Sequence, residues 1–209
     1  MESRLDLSKT DLKILQFLLA NRSARFSIKQ IAERTGLPYS TARERAVALG
    51  SRGVLEIEAI NPTQTLCSIR VTERNMPILA YLEFVRKEGF LAKKMELQGT
   101  IQDILDRIEQ SSFSLLLFGS QAKGTARQGS DIDVLILVPG NKDEERFARA
   151  IADAQRLTTR RLHPVIITYA DFTASLKKKG ASLAKEALEH HILISGAEAF
   201  YRELIVHGR

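Results

Sequence analysis

The sequence has very little cysteine, because its 209 residues include only one, Cys67. A single cysteine excludes an internal disulfide and a zinc site built from several thiolates. Free cysteines are mostly buried, so we expect Cys67 to be a buried strand residue. Long apolar runs are also lacking, which excludes a membrane span. The segment from Met1 to Asp11 is polar and unlike a signal peptide, so we expect a cytoplasmic protein without a membrane partner.

The chain is basic, with a formal net charge of +6 and an isoelectric point of about 9.5. This balance favours polyanionic partners without establishing nucleic-acid binding. The N-terminal third is its most basic part. The length suits one large domain or two small ones, each able to bury its own core.

Local signals in the N-terminal third predict three helices followed by a β-hairpin. Ser8 and Ser27 each begin a capping box, and Gly36 provides a left-handed helix end. Pro38 begins the third helix, which we expect to end near Arg52. Two β-rich runs, residues 54–60 and 66–71, then flank a turn at residues 61–64.

This order of elements, from Leu7 to about Thr72, resembles a winged helix-turn-helix, with Gly36 to Arg43 at the turn and the start of the recognition helix. The resemblance implies double-stranded DNA as a partner, and a homodimer, since such domains often bind palindromes. A helix in the major groove contacts bases and phosphates with residues near its N-terminus. An exposed helix face without a DNA role is the alternative. The expected DNA-binding residues are Tyr39, Ser40, Thr41, Arg43 and Arg45.

The rest of the chain predicts a helical connector and then a mixed-sheet domain. Apolar runs at residues 113–118, 132–138 and 163–169 predict buried strands. A helix is expected over residues 143–160, with an apolar face, and the chain after Asp171 is expected to be helical, with breaks at Gly180 and Gly196. The inward residues of the first helix are expected to be Phe147, Ile151, Ala154 and Leu157. The predicted fold class is α+β, with a winged-helix domain at 1–72, a connector at 73–110 and a mixed-sheet domain at 111–209.

The most specific motif is Gly119-Ser120, followed after ten residues by Asp131-Ile132-Asp133. Glycine at a strand end removes a side chain where a phosphate must approach closely. Ser120 begins a helix, whose first amides and hydroxyl suit a phosphate oxygen. Aspartates two positions apart on a strand project from one face, and such a pair is a hard-oxygen site for Mg²⁺.

The motif resembles that of the polymerase-β-like nucleotidyltransferase superfamily, in its small single-domain branch, and the wider resemblance covers about Leu97 to Arg209. It implies Mg²⁺-dependent transfer of a nucleotidyl group from an NTP, with ATP expected, to a hydroxyl of a protein or small molecule. Asp131 and Asp133 would be the catalytic and metal-binding residues. The expected nucleotide-binding residues are Gly119, Ser120, Lys123 and Arg127. For Lys123 and Arg127, the alternative is that they are solvated loop charges without a ligand.

One departure from the family pattern concerns the third carboxylate, which the family commonly has on the next strand. Val165 stands at that place and cannot bind a metal, while Asp171 is expected to cap the following helix. His163, on the same strand face, can be a general base or a structural residue. Three hypotheses therefore stay open: an enzyme, a catalytically weak or inactive nucleotide-sensing transcription regulator, and a dimerisation scaffold.

Overall fold

The computed structural model describes residues 6–61, 64–108 and 112–207. The chain divides into two compact units, Met1–Leu82 and Glu83–Arg209. Each unit contains helices and a sheet of its own, which confirms the predicted α+β class. The turn residues Pro62 and Thr63 lie outside the described residues.

The N-terminal unit has the winged-helix architecture that its sequence predicts. Three helices and three short strands follow in order, and the strands form an antiparallel sheet in the order β1-β3-β2. Strand β1 was not predicted; it comprises two residues, which pair with Leu66 and Cys67. The elements are α1 (Lys9–Ala20), β1 (Phe26–Ser27), α2 (Ile28–Thr35), α3 (Tyr39–Ser51), β2 (Leu55–Asn61) and β3 (Gln64–Ile69).

The predicted helix ends of this unit are confirmed. The Ser8 hydroxyl accepts a hydrogen bond from the Asp11 amide at 3.1 Å, and the Asp11 carboxylate accepts one from the Ser8 amide at 2.9 Å. Ser27 and Gln30 form the same reciprocal pair at the start of α2. Gly36 ends α2 with a φ of 66°, which glycine adopts without steric cost. Local sequence therefore fixes where these helices begin and end.

The core of this unit is closed by the inner face of α3. Ala42, Ala46 and Leu49 lie at helical spacing and are fully buried. Cys67 is buried on β3, which confirms its predicted place, and burial raises the pKa of its thiol. The outward residues of α3 are thereby fixed on the solvent side.

The predicted connector is divided between the two units. A 3₁₀ turn at Glu73–Asn75 leads into α4 (Met76–Leu91), and α5 (Met95–Asp106) follows. The boundary of the units falls within α4, between Leu82 and Glu83. The structure therefore differs from a separate connector at 73–110, because α5 packs into the core of the C-terminal unit through Leu97, Ile101 and Ile104.

The C-terminal unit is built on a mixed four-stranded sheet in the order β6-β5-β4-β7. Strands β5 and β6 are parallel, and the other pairs are antiparallel. The strands that were predicted as apolar runs lie side by side. The elements are β4 (Ser114–Leu117), α6 (Gly119–Lys123), β5 (Ile132–Val138), α7 (Asn141–Gln155), β6 (Leu162–Thr168), α8 (Tyr169–Lys177), α9 (Leu183–Glu189), β7 (Ile192–Ser195) and α10 (Ala197–His207).

Two predictions for this unit are wrong. The chain after Asp171 is not helical apart from the glycine breaks, because β7 pairs with β4 through Ile192, Leu193 and Ser195. Leu157 does not belong to an inward helix face, because α7 ends at Gln155 and Leu157 is exposed. The other inward residues of α7, Phe147, Ile151 and Ala154, are buried as predicted.

A buried polar cluster joins α4 to the end of the chain within the C-terminal unit. Glu83 is 1% exposed and accepts a hydrogen bond from the Tyr201 hydroxyl at 2.5 Å. Its carboxylate also lies 3.6 Å from Nε2 of His191, whose Nδ1 is 2.7 Å from the Ala187 carbonyl oxygen. Burial raises the pKa of Glu83, but His191, Arg86 and Tyr201 outweigh it and lower the pKa to about 2.

This cluster predicts a specific pH dependence of stability. A carboxyl group whose folded pKa is depressed stabilises the protein above its unfolded pKa, and that contribution disappears as the pH falls through the folded pKa. We expect Glu83→Gln to lower the free energy of unfolding at pH 7 by on the order of 3 kcal/mol. The difference from the unsubstituted protein should shrink between about pH 4.5 and pH 2. Urea denaturation across this pH range measures it, with the exposed Glu189→Gln as control; a difference constant with pH would contradict it.

Candidate nucleotide site and helix-turn-helix face

The two aspartates of the motif lie at the start of the central strand β5. Asp131 is exposed and directly precedes the strand, while Ile132 is fully buried. The Asp133 side chain is 23% exposed. Because side chains alternate along a strand, burial of Ile132 leaves both carboxylates on the opposite, accessible face.

Gly119 lies directly against the second of these carboxylates. It has a φ of 61°, and a Cβ atom at this position would lie 2.2 Å from Oδ2 of Asp133. The Phe118 amide donates to the Asp133 carbonyl oxygen at 3.1 Å, which holds the two segments together. Glycine is therefore required here twice, for its backbone conformation and for the space that the Asp133 carboxylate occupies.

The loop between the two halves of the motif is held by its own hydrogen bonds. The amides of Thr125 and Ala126 both donate to the Ser120 carbonyl oxygen, at 3.0 and 3.1 Å. The Arg127 amide donates to the Ser130 hydroxyl at 2.8 Å, and the Ser130 amide donates to the Arg127 carbonyl oxygen at 3.0 Å. The ten-residue spacing thus corresponds to a compact, defined loop.

The register of β6 places His163 beside the carboxylate pair. His163 is the partner of Asp133, and its Nδ1 lies 3.2 Å from Oδ1 of Asp133. Val165 is the partner of Leu135, further from the aspartates. The residue of β6 that pairs with Asp133 is therefore a histidine, and Val165 lies two positions further along the strand.

The predicted DNA-binding face has an open groove. Tyr39, Ser40 and Arg43 are exposed at the first turns of α3, and Thr41 is partly buried. A cavity of about 350 Å³ lies between α2, α3 and β3. Its lining includes Lys29, Tyr39, Arg43, Gln64 and Thr65.

Arg45, in contrast, is engaged inside the N-terminal unit. Its Nε and Nη2 atoms donate to the two carboxylate oxygens of Asp11, at 2.8 and 2.7 Å. Asp11 is fully buried, while the Arg45 side chain is 30% exposed. Burial raises the pKa of Asp11, but the hydrogen bonds from Arg45 and Ser8 outweigh it and lower the pKa. The structure thus gives Arg45 a structural partner that the sequence interpretation did not foresee.

Residues 99–194 match the family model of the nucleotidyltransferase domain, and residues 7–49 match that of the AsnC-type helix-turn-helix domain. The chain joins a helix-turn-helix domain to a nucleotidyltransferase domain. The first match includes Gly119, Ser120, Asp131 and Asp133, and the second includes α3 as far as Leu49. Among curated proteins, no relative matches this chain. In the part of the chain that the structure describes, no helix is long and apolar enough to cross a membrane.

The two predicted cations of the nucleotidyltransferase domain have different environments. Nζ of Lys123 donates to Oε1 of Glu186 on α9, at 2.6 Å, in an exposed ion pair. Such a pair contributes little stability and separates easily, so it leaves Lys123 available for a stronger anion. Arg127 is exposed and lines a cavity next to α6.

The donor set around Asp133 fits Mg²⁺ in part. The missing Cβ of Gly119 leaves the Asp133 carboxylate room on the accessible face of the sheet. Among the described residues there is no group of three or more His, Cys, Asp and Glu side chains that could hold a metal. Mg²⁺ is usually bound by one or two carboxylates together with substrate phosphates and water, so a two-carboxylate site fits a metal that arrives with a nucleotide.

Three residues that line the same cavity as Arg127 were not identified from the sequence, namely Lys94, Gln121 and Arg160. They come from the start of α5, from α6 and from the α7–β6 loop. Gln121 is within the motif itself and is 2% exposed, an unusual burial for a glutamine. No pattern of spacing would have joined these residues.

Proposed function

We propose that the chain is a Mg²⁺-dependent nucleotidyltransferase that its helix-turn-helix domain brings to DNA. The observation that carries this proposal is the close approach of Gly119 to Asp133, which keeps a carboxylate beside the first residue of α6, where there is no side chain. That arrangement leaves a phosphate free to approach the carboxylate pair. The match of residues 99–194 to the nucleotidyltransferase domain supports the same chemistry.

Each residue of the motif then has a defined task. Asp131 and Asp133 hold the metal, and Gly119 and Ser120 receive the triphosphate. A Mg²⁺ ion held by these two carboxylates would supply positive charge that stabilises the transition state of attack at the α-phosphate. Lys123 exchanges Glu186 for a phosphate oxygen when the nucleotide binds. The expected nucleotide is ATP, and the expected acceptor is a hydroxyl of a protein or small molecule.

Transfer is tested with radiolabelled ATP, GTP, CTP and UTP, offered to the purified protein with and without Mg²⁺. We expect Mg²⁺-dependent nucleotide binding and transfer of label, both lost in the Asp131→Ala/Asp133→Ala variant. Asp153→Ala, which removes an exposed carboxylate on α7, is the control for lost negative charge. Absence of both binding and transfer would contradict the assignment and favour a dimerisation scaffold.

A second candidate function is nucleotide sensing by a transcription regulator with weak or absent turnover. It is favoured by the register of β6, which places His163 rather than a carboxylate beside Asp133. A histidine side chain does not add negative charge to a Mg²⁺ site, and Mg²⁺ prefers oxygen ligands. Mg²⁺-dependent binding without transfer to any offered acceptor would support this function over the first.

For the helix-turn-helix domain we propose binding to double-stranded DNA, as a homodimer, through the face that begins α3. The groove between α3 and β3 carries Lys29, Arg43 and the polar side chains of Gln64 and Thr65. Exposed cations here can contact phosphates, and residues at the start of a recognition helix can contact base edges.

This proposal predicts a selective effect at Arg43. We expect Arg43→Ala to weaken binding to nonspecific double-stranded DNA and to reduce the salt slope of the affinity by about 1, as for one lost phosphate contact. Stability should stay unchanged, because Arg43 is exposed. Fluorescence anisotropy over a salt series measures the slope. Arg149→Ala removes an equal charge from an exposed helix position, and an equal loss in that control would refute a local contact.

A further inference from the structure

A small cationic cavity lies in the C-terminal unit beside the loop that precedes Asp131. Its volume is about 300 Å³, and its lining includes Lys94, Arg127 and Arg160. One carboxylate, that of Glu96, also belongs to the lining. Neither Asp131 nor Asp133 belongs to it, so the cavity is separate from the carboxylate pair.

The cavity contains a buried amide with unused hydrogen-bonding capacity. Gln121 is 2% exposed, and its Oε1 accepts a hydrogen bond from Nζ of Lys94 at 3.1 Å. Its Nε2 has no hydrogen-bond partner among the described residues. A buried donor without a partner is costly, so the amide is suited to an acceptor that enters the cavity.

The start of α5 adds further donors to the same cavity. Met95, Glu96 and Leu97 form the first turn of this helix and all belong to the lining. The N-cap residue Lys94 forms no side-chain cap, so these first amides lack the acceptor that a capping side chain would supply. The positive end of the helix dipole therefore faces the cavity, together with the three cationic side chains.

Two of the cations that line the cavity, Lys94 and Arg160, lie near enough for their charges to repel each other. Nζ of Lys94 lies 4.7 Å from the centre of the Phe90 ring, and burial lowers the pKa of Lys94, with a further lowering from the charge of Arg160. Arg160 donates from Nη2 to the Ser130 carbonyl oxygen, and its buried Nε has no partner among the described residues. A bound anion would relieve this repulsion and accept hydrogen bonds from Nε2 of Gln121 and Nε of Arg160.

We propose that this cavity binds a phosphate group of a small phosphorylated ligand. The volume is at the small end of the range for ligand pockets, and the donors match a compact, highly charged anion. Arg127 and Ser130 belong to the loop that ends at Asp131, so an occupied cavity would also hold that loop in place. The phosphate is either a terminal phosphate of the nucleotide or part of a second ligand.

The test uses inorganic pyrophosphate as probe and isothermal titration calorimetry on the full chain, without divalent metal and with chelator present. We expect saturable binding, weakened about tenfold or more by Arg127→Gln, since hydrogen bonds to charged groups are worth this much. Gln121→Glu should abolish binding, because it places a carboxylate where the anion would lie and keeps an acceptor for Lys94. Arg156→Gln, at an exposed position on the end of α7, should bind like the unsubstituted protein.

The proposal is overturned if pyrophosphate does not saturate, or if Arg127→Gln binds it as tightly as Arg156→Gln. It is also overturned if Asp131→Asn/Asp133→Asn loses this metal-free binding, because the anion would then belong to the carboxylate site. Retained binding in that variant, with loss of Mg²⁺-dependent transfer, supports both sites independently. Competition between ATP and pyrophosphate would identify the ligand as the nucleotide, and simultaneous binding would identify a second phosphorylated ligand.

Discussion

Replacing Arg45 with alanine is expected to lower the free energy of unfolding of the N-terminal unit by about 3 kcal/mol. The substitution removes the two hydrogen bonds that Arg45 donates to the fully buried carboxylate of Asp11, and it leaves that charge without its cation. Asp11 is also part of the cap that begins α1, so its protonation or displacement weakens that helix end. Amide hydrogen exchange at increasing urea concentrations, followed at the amides of α1 and α3, measures the free energy of unfolding of this unit separately.

Arg43→Ala is the matched comparison, because it removes an arginine two positions away on the same helix. Because Arg43 is exposed, we expect the free energy of unfolding of the Arg43→Ala variant to differ from that of the unsubstituted protein by less than about 0.5 kcal/mol. The two substitutions should therefore have different effects: Arg45→Ala lowers the stability, and Arg43→Ala weakens DNA binding. Equal stability of the two variants would show that the Asp11–Arg45 pair does not support the fold.

Replacing Gly119 with alanine is expected to abolish Mg²⁺-dependent nucleotide binding and transfer. The new Cβ would lie 2.2 Å from Oδ2 of Asp133, so the carboxylate must leave its position. The positive φ of 61° adds a conformational cost of about 1–2 kcal/mol. We expect nucleotide affinity to fall by about a hundredfold or more, since a metal ligand and the phosphate approach are disturbed together. Calorimetric titration with ATP and Mg²⁺ measures the loss.

Gly124→Ala is the control for the conformational part of this effect. Gly124 ends the same helix with a φ of 72°, but apart from its chain neighbours no described residue has an atom within 4 Å of the position of its Cβ. This variant should therefore lose about 1–2 kcal/mol of stability and keep its nucleotide affinity. If both variants keep their affinity, contact between Gly119 and Asp133 is not needed for nucleotide binding.

The candidate nucleotide site could be predicted because its chemistry lies within one short stretch. Gly119 and Ser120 begin α6 shortly after β4, Asp131 directly precedes β5, and Asp133 lies within that strand. Capping boxes at Ser8 and Ser27 were predictable for the same reason, because their partners lie three residues away.

Features that depend on distant partners were not predictable in this way. Arg45 and Asp11 are 34 positions apart, and nothing in either segment indicates the other. The segment that forms β7 contains four residues with the pattern of a short buried stretch, and its strand conformation comes from pairing with β4. The place of His163 beside Asp133 depends on the register of two parallel strands, which the sequence of β6 alone does not fix.

The most direct test of the nucleotide site is electron paramagnetic resonance of Mn²⁺, a paramagnetic substitute for Mg²⁺ at carboxylate sites. In the presence of ATP, the unsubstituted protein should bind Mn²⁺ saturably and change its spectrum. Asp133→Asn should weaken this binding by about tenfold or more, whereas Asp153→Asn, at an exposed position on α7, should not. If Mn²⁺ binds equally to all three proteins, or to none of them, Asp131 and Asp133 do not form a metal–nucleotide site.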